Sequence, residues 1–122
     1  MQLKKLEQNL SICKIQDLQQ VDFSREIVFI AKTADELSLV CETDYVPQNT
    51  IAHEPGWRGL KVAGVLDFSL VGILAGIAKV LADGGVSIFA VSTYNTDYIL
   101  LKAVDFDKAL LLLADAGYII IP

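Results

Sequence analysis

Apolar residues in the second half of the chain change their spacing several times, and each change marks an element. Val62 to Phe68 is a short apolar run of the kind that forms a buried strand. Leu70, Leu74, Ile77 and Leu81 then recur at helical spacing, widened by Ile73 and Val80, and Gly84 supplies the left-handed stop that ends many helices. Val86 to Ser92 is rich in β-branched and aromatic residues, Tyr94 to Asp97 has turn chemistry, and Tyr98 to Val104 continues as a strand, which predicts a hairpin. Asp105 or Asp107 can cap a second helix that carries Phe106, Leu110, Leu113 and Ala114 on one side and ends at Gly117. Tyr118 to Ile121 is a final strand. The order β-α-β-β-α-β predicts an α+β, ferredoxin-like fold, with both helices on one face of an antiparallel sheet.

The first half carries a fainter copy of the same pattern. Leu10 to Ile15 reads as a strand, Gln16 to Gln20 as a short helical turn, and Ile27 to Lys32 with Leu37 to Cys41 as a hairpin around Thr33-Ala34-Asp35-Glu36. Strand, Thr, acidic turn and strand occur in that order in both halves, so the chain is read as an internal duplication. Residues 1–60 form the degenerate unit and 61–122 the complete one. Thr43 to Gly59, with Pro47, Pro55 and Gly56, is expected to break regular structure, include a short helix and connect the two.

Composition adds a partner to this picture. The chain is 53% hydrophobic with a mean hydropathy of +0.47, greasier than its 122 residues need for one core, so apolar surface is expected to be covered by another subunit, giving a homo-oligomer such as a dimer. A net charge of -5 with scattered Lys and Arg argues against nucleic acid. Lys4 and Lys5, the one adjacent basic pair, are expected to solvate a frayed end. Asp67 and Lys79 interrupt the apolar window from Val62 to Ala82, which argues against a membrane span, and the charged N-terminus does not resemble a signal peptide. A cytoplasmic location is expected.

The residues with reactive side chains do not assemble into a catalyst. Cys13 and Cys41 sit in apolar runs outside any Cys-x-x-Cys pattern and read as buried, reduced thiols. His53, the sole histidine, reads as a solvated loop residue, and Trp57 as an anchor for the connection. One histidine supplies no triad and no metal cluster, and no Gly-rich phosphate loop follows a strand, so neither an enzyme nor a cofactor is expected.

What remains is a binding function. Leu66-Asp67-Phe68-Ser69-Leu70-Val71-Gly72-Ile73-Leu74, Leu81-Ala82, Gly85-Val86-Ser87-Ile88 and above all Ser92-Thr93-Tyr94-Asn95-Thr96-Asp97-Tyr98 resemble the ACT domain, an amino-acid-sensing module appended to aspartokinases. Among such proteins the chain is most similar to the stand-alone tandem type related to the CASTOR arginine sensors. Many ACT domains have Pro-Gly after the first-strand acid, where this chain has Phe68-Ser69-Leu70-Val71 before Gly72. The resemblance implies a ligand lying between two ACT units, touching Asp67, Ser69, Leu70, Val71 and Gly72 on one side and Ser92, Thr93, Tyr94, Asn95 and Asp97 on the other.

Elementary chemistry is compatible with that placement. A helix N-terminus near Leu70 to Gly72 offers backbone N–H groups to a carboxylate, and Asp67 or Asp97 can accept from an ammonium or a cationic side chain. Each residue also has a plainer role: Asp67 as a turn cap, Asp97 as a hairpin residue, and Gly72 as a packing glycine rather than a point of ligand approach. Two functions therefore compete, an amino-acid sensor acting on a regulated protein partner and an interaction module that kept the fold for dimerisation without a ligand.

Overall fold

The computed structural model describes residues 1–67 and 70–122, and in it the chain packs as two units, Met1–Glu7 with Arg58–Pro122, and Gln8–Trp57. The first unit contains β1 (Gln2–Lys5), the C-terminal part of β5 (Thr50–Val62), α1 (Ile73–Asp83), β6 (Ile88–Ser92), β7 (Asp97–Lys102), α2 (Phe106–Asp115) and β8 (Ile119–Ile121). The second holds β2 (Leu10–Ile15), β3 (Val28–Lys32), β4 (Leu37–Glu42) and the start of β5. The fold is α+β and ferredoxin-like. A short 3-10 turn follows each hairpin, Thr43–Tyr45 after β4 and Ala103–Asp105 after β7.

In the first unit the strands run in the order β6, β7, β5, β1, β8. The N-terminus is not frayed: Leu3 is fully buried, Lys4 lies opposite Lys61 of antiparallel β5, and β1 also pairs parallel with β8, so the sheet is mixed. Strand alternation explains this, because Leu3 points into the core while Gln2 and Lys4 point to water. Leu6 N–H donates to Gly59 O at 2.9 Å, extending the β1–β5 pairing by one step.

Both helices bury one stripe in a single core with Leu3, Leu60, Val62, Ile99 and Leu101. Ile77 and Leu81 come from α1, Phe106, Ala109 and Leu113 from α2, whereas Leu70 precedes the helix and Ala114 is exposed. Both helices end the same way. Val86 N–H bonds Leu81 O and Gly85 N–H bonds Ala82 O, and Tyr118 and Gly117 do the same to Leu113 and Ala114. The left-handed residue is thus Gly85 (φ +79°) rather than Gly84, whose added Cβ would collide with Leu112. Gly84 is small because the helices meet there.

Two expected boundaries move. The strand read at Val62 to Phe68 ends at Val62: Gly64 adopts φ +88° and Val65 is exposed, so the apolar run continues past the sheet. The segment Thr43 to Gly59, expected to be irregular, is the 3-10 turn followed by most of β5. Its Pro55-Gly56 is absorbed by a bulge, since Leu10 and Ile12 face Trp57 and Glu54 and Gly56 takes φ +85°.

The second unit has no helix. Gln16 to Gln20 forms bends and a turn, and the sheet face carrying Cys13, Ile15, Leu39 and Cys41 is covered by loop residues Val21 and Val46. Its hairpin nevertheless repeats that of the first unit: Thr33 N–H bonds Glu36 O at 3.0 Å, as Thr93 N–H bonds Thr96 O at 2.8 Å.

Candidate functional site

Two parts of the first unit enclose a cavity of about 310 Å³: Leu66, Asp67, Leu70 and residues 72–75 on the way into α1, and residues 92–97 at the tip of the β6–β7 hairpin. They are tied together by Leu66 N–H donating to Asn95 O at 2.7 Å. On the loop side Leu70 N–H donates to Asp67 O at 3.0 Å. Gly72 then turns the chain at φ +82°, a conformation that costs an L residue strain, and α1 begins at Ile73. Gly72 is therefore a backbone requirement, neither a packing glycine on the helix nor a point of steric crowding, as a Cβ there would meet nothing within 4 Å.

The late helix start decides which amides lack a partner within the helix. The first intrahelical bond runs from Gly76 N–H to Gly72 O at 2.9 Å, so the N–H groups of Ile73, Leu74 and Ala75 have no acceptor within the helix, and Gly72 has no side chain to cap them. All three residues line the cavity. The positive end of the helix dipole lies there as well.

On the hairpin side the geometry is fixed by threonines. Thr96, 3% exposed, donates its hydroxyl to Val62 O at 2.7 Å and so pins the turn to the end of β5. The Thr93 hydroxyl accepts from Thr96 N–H at 3.4 Å and bonds Thr96 O at 3.0 Å. Ser92 Oγ donates to Asp97 Oδ1 at 2.6 Å. Asp67 and Asp97 put two carboxylates on the wall, and among the described lining residues there is no Lys, Arg or His.

Of the residues singled out in the sequence, Asp67, Leu70, Gly72, Ser92, Thr93, Tyr94, Asn95 and Asp97 line this cavity. Val71 does not: it is 90% exposed. Ser69 lies outside the described residues. Leu66, Ile73, Leu74, Ala75 and Thr96 line the cavity without having been anticipated, and the helical residues were missed because the apolar stripe counted from Leu70 set the helix start too early.

Elsewhere the reactive side chains serve packing. His53 is on β5, not in a loop, and its Nε2 lies 3.1 Å from the buried Ser11 hydroxyl, itself 2.9 Å from Thr43 Oγ1. Trp57 is buried opposite Leu10. Cys13 and Cys41 are free and buried, and hydrogen bonding to Cys13, together with burial, pushes the Cys41 thiol well above the usual range. Among the described residues no cluster of His, Cys, Asp and Glu could hold a metal ion, and no helix is long and apolar enough to cross a membrane.

Comparison with known proteins supplies the context for this cavity. The sequence profile of the ACT domain matches residues 52–115. A protein of Agobacterium tumefaciens with a crystal structure is 33% identical, over 98% of this chain and 91% of that one, with a TM-score of 0.88. A protein from Vibrio cholerae, described as a possible transport protein, is 20% identical over 93% of this chain and 88% of that one at a TM-score of 0.72. The ligand-free regulatory subunit of aspartate kinase from Thermus thermophilus shares the fold at 10% identity, with 94% and 96% covered and a TM-score of 0.68. No curated protein matches the chain in sequence.

Proposed function

The chain belongs to the ACT-domain family, and on that footing we propose that it is a non-enzymatic regulatory protein that binds a free amino acid in the cavity between the start of α1 and the tip of the β6–β7 hairpin. The observation that carries this reading is the pairing, across one cavity, of uncapped helix amides with carboxylates. A zwitterion needs both. The amides of Ile73, Leu74 and Ala75 suit the ligand's carboxylate, which also gains from the helix dipole. Asp97 suits its ammonium, since a carboxylate has about four acceptor positions and the Ser92 hydroxyl occupies one.

The same electrostatics rank the side chains. With Asp67 and Asp97 on the wall and no basic residue among the described lining, an acidic ligand side chain is repelled and a neutral or cationic one is admitted. A volume of about 310 Å³ is at the small end of ligand sites, in keeping with a metabolite rather than a cofactor. Binding shifts the population toward the arrangement that holds the ligand best, and that shift is the signal a partner would read. The fold shared with the regulatory subunit of an aspartate kinase supports a regulatory rather than a catalytic role.

A second reading, an interaction module without a ligand, draws on a different observation. Val65, Leu70, Val71 and Tyr94 are all exposed at or beside the cavity, apolar surface suited to another protein. Thermal denaturation against the twenty amino acids separates the two. A ligand that binds only the folded form at a hundred times its Kd stabilises it by about 2.7 kcal/mol, a shift easily measured. If none of them raises the melting temperature at millimolar concentration, the sensor reading falls and the interaction module stands.

A further inference from the structure

The net charge of this chain is not spread along it. Residues 8–57, the second unit, carry eight Asp and Glu against three Lys and Arg, and the rest of the chain carries seven of each, so the whole of the -5 belongs to the second unit. Within that unit Arg25 is engaged by the buried Glu42, with Nη2 3.2 Å from Oε1 and the guanidinium 4.1 Å from the centre of the Tyr45 ring. Asp22, Glu26, Asp35, Glu36, Asp44 and Glu54 are exposed, against Lys14 and Lys32.

The loop that joins β2 to β3, residues 16–27, is fastened along its length. Val21 packs against the core of the unit and Ile27 is buried. Asp17 Oδ1 accepts from Asn49 Nδ2 at 3.0 Å, Gln20 Oε1 from Gln48 N–H at 3.1 Å, and Glu26 Oε2 from Gln8 Nε2 at 2.9 Å. Holding a loop in one conformation costs about 1–2 kcal/mol per residue in backbone entropy, yet this ordered loop leaves Phe23 61% exposed and Leu18 42%. A fixed backbone carrying an exposed aromatic is what an interface anchor requires, because docking it then costs little further entropy.

We propose that this loop is the surface through which the chain holds a different protein, with Phe23 and Leu18 entering an apolar cleft whose rim carries Lys and Arg. Charge fixes the class of partner. Asp17, Asp22 and Glu26 flank the two apolar side chains along the loop, in a unit that holds the full net charge. That field repels phosphate, which argues against nucleic acid and an anionic membrane. A second copy offers only the same acidic unit or one of zero net charge, so it does not complement the loop either. A basic, amphipathic protein segment answers both the apolar side chains and the carboxylates. The ligand cavity belongs to the first unit, so this docking stands whether or not a ligand binds there.

A fluorescein-labelled amphipathic peptide of leucine and lysine serves as the probe, with binding followed by anisotropy in about 0.15 M salt, where charges more than about 8 Å apart are largely screened. The full wild-type chain should bind it and should ignore the matching peptide of leucine and glutamate. Phe23→Ser, and separately Asp22→Lys with Glu26→Lys, should each weaken binding at least about tenfold with the circular dichroism spectrum unchanged, since these side chains are exposed. Asp83→Lys with Asp115→Lys puts the same change of charge on the first unit and should leave the affinity unchanged. No binding by the wild type, equal binding of the acidic peptide, a Phe23→Ser chain that binds like the wild type, or a loop charge reversal that costs no more than the one in the first unit overturns the proposal.

Discussion

Ser92 Oγ donates to Asp97 Oδ1 at 2.6 Å across a non-hydrogen-bonded pair of the β6–β7 hairpin, the pair type in which side chains approach most closely. The hydroxyl fixes the position of the carboxylate and leaves its second oxygen for another donor. Asp97→Ala should therefore remove an acceptor for the ligand's ammonium and weaken binding by at least about tenfold, the scale of a charge-assisted hydrogen bond. Calorimetry with the amino acid that gives the largest thermal shift measures this, and an unchanged affinity would take Asp97 out of the site.

One ligand per chain is expected, although both units carry a hairpin closed by a threonine. The counterpart loop in the second unit precedes no helix, and Asp17 Oδ1 already accepts from Gln19 N–H and Asn49 Nδ2, each at 3.0 Å. The second hairpin kept its threonine but its neighbouring loop is tied to its own chain. Titration should give a stoichiometry near one, and Asp17→Ala should leave affinity unchanged. A stoichiometry near two would mean that the second unit also binds.

Gly84 and Leu112 should be energetically coupled. Gly84 has an ordinary backbone (φ -89°), so alanine there is opposed by the Leu112 side chain rather than by its own dihedral angles. Gly84→Ala should cost about 1–3 kcal/mol by overpacking, and markedly less in a Leu112→Ala background. Urea denaturation of the four proteins of the cycle gives the coupling, and additive effects would show that the helices yield at this point.

The thiols should be silent in the native protein. Their mutual hydrogen bond raises the Cys41 thiol and lowers that of Cys13, so burial is what protects the pair, and each is 3% exposed. A thiol reagent at pH 8 should modify both cysteines in denaturant and neither in the folded state over the same interval. Fast modification of the native chain would place at least one sulfur nearer the solvent.

Where a residue's role depended on local periodicity, the sequence was a sound guide. Ile77 and Leu81, and Phe106 and Leu113, mark the buried faces of the helices because packing selects the same stripe that propensity favours. The hairpin at Thr93 to Thr96 was equally legible. Non-local pairing was not. Leu3 is buried only because β1 slots between β5 and β8, and nothing within four residues of Leu3 records the partner strands. The strand end at Val62 and the helix start at Ile73 were misplaced for a related reason: Gly64 and Gly72 take left-handed conformations, which spacing does not register when apolar residues continue on both sides. Those two glycines bound the loop that forms one wall of the cavity, so the site's residues were easier to name than its backbone.

The contact between Leu6 N–H and Gly59 O sets the distance between the points where the chain leaves the first unit and returns to it. The Arg58 guanidinium also donates to Leu6 O at 3.1 Å, so the two crossing points lie close together. Fifty residues are thus spliced into what would otherwise be a β-hairpin, from Gln8 to Trp57. Excising them and joining Glu7 to Arg58 through a short turn would leave β1 and β8 with their pairings to the rest of the sheet, so the first unit should be recoverable as a minimal chain.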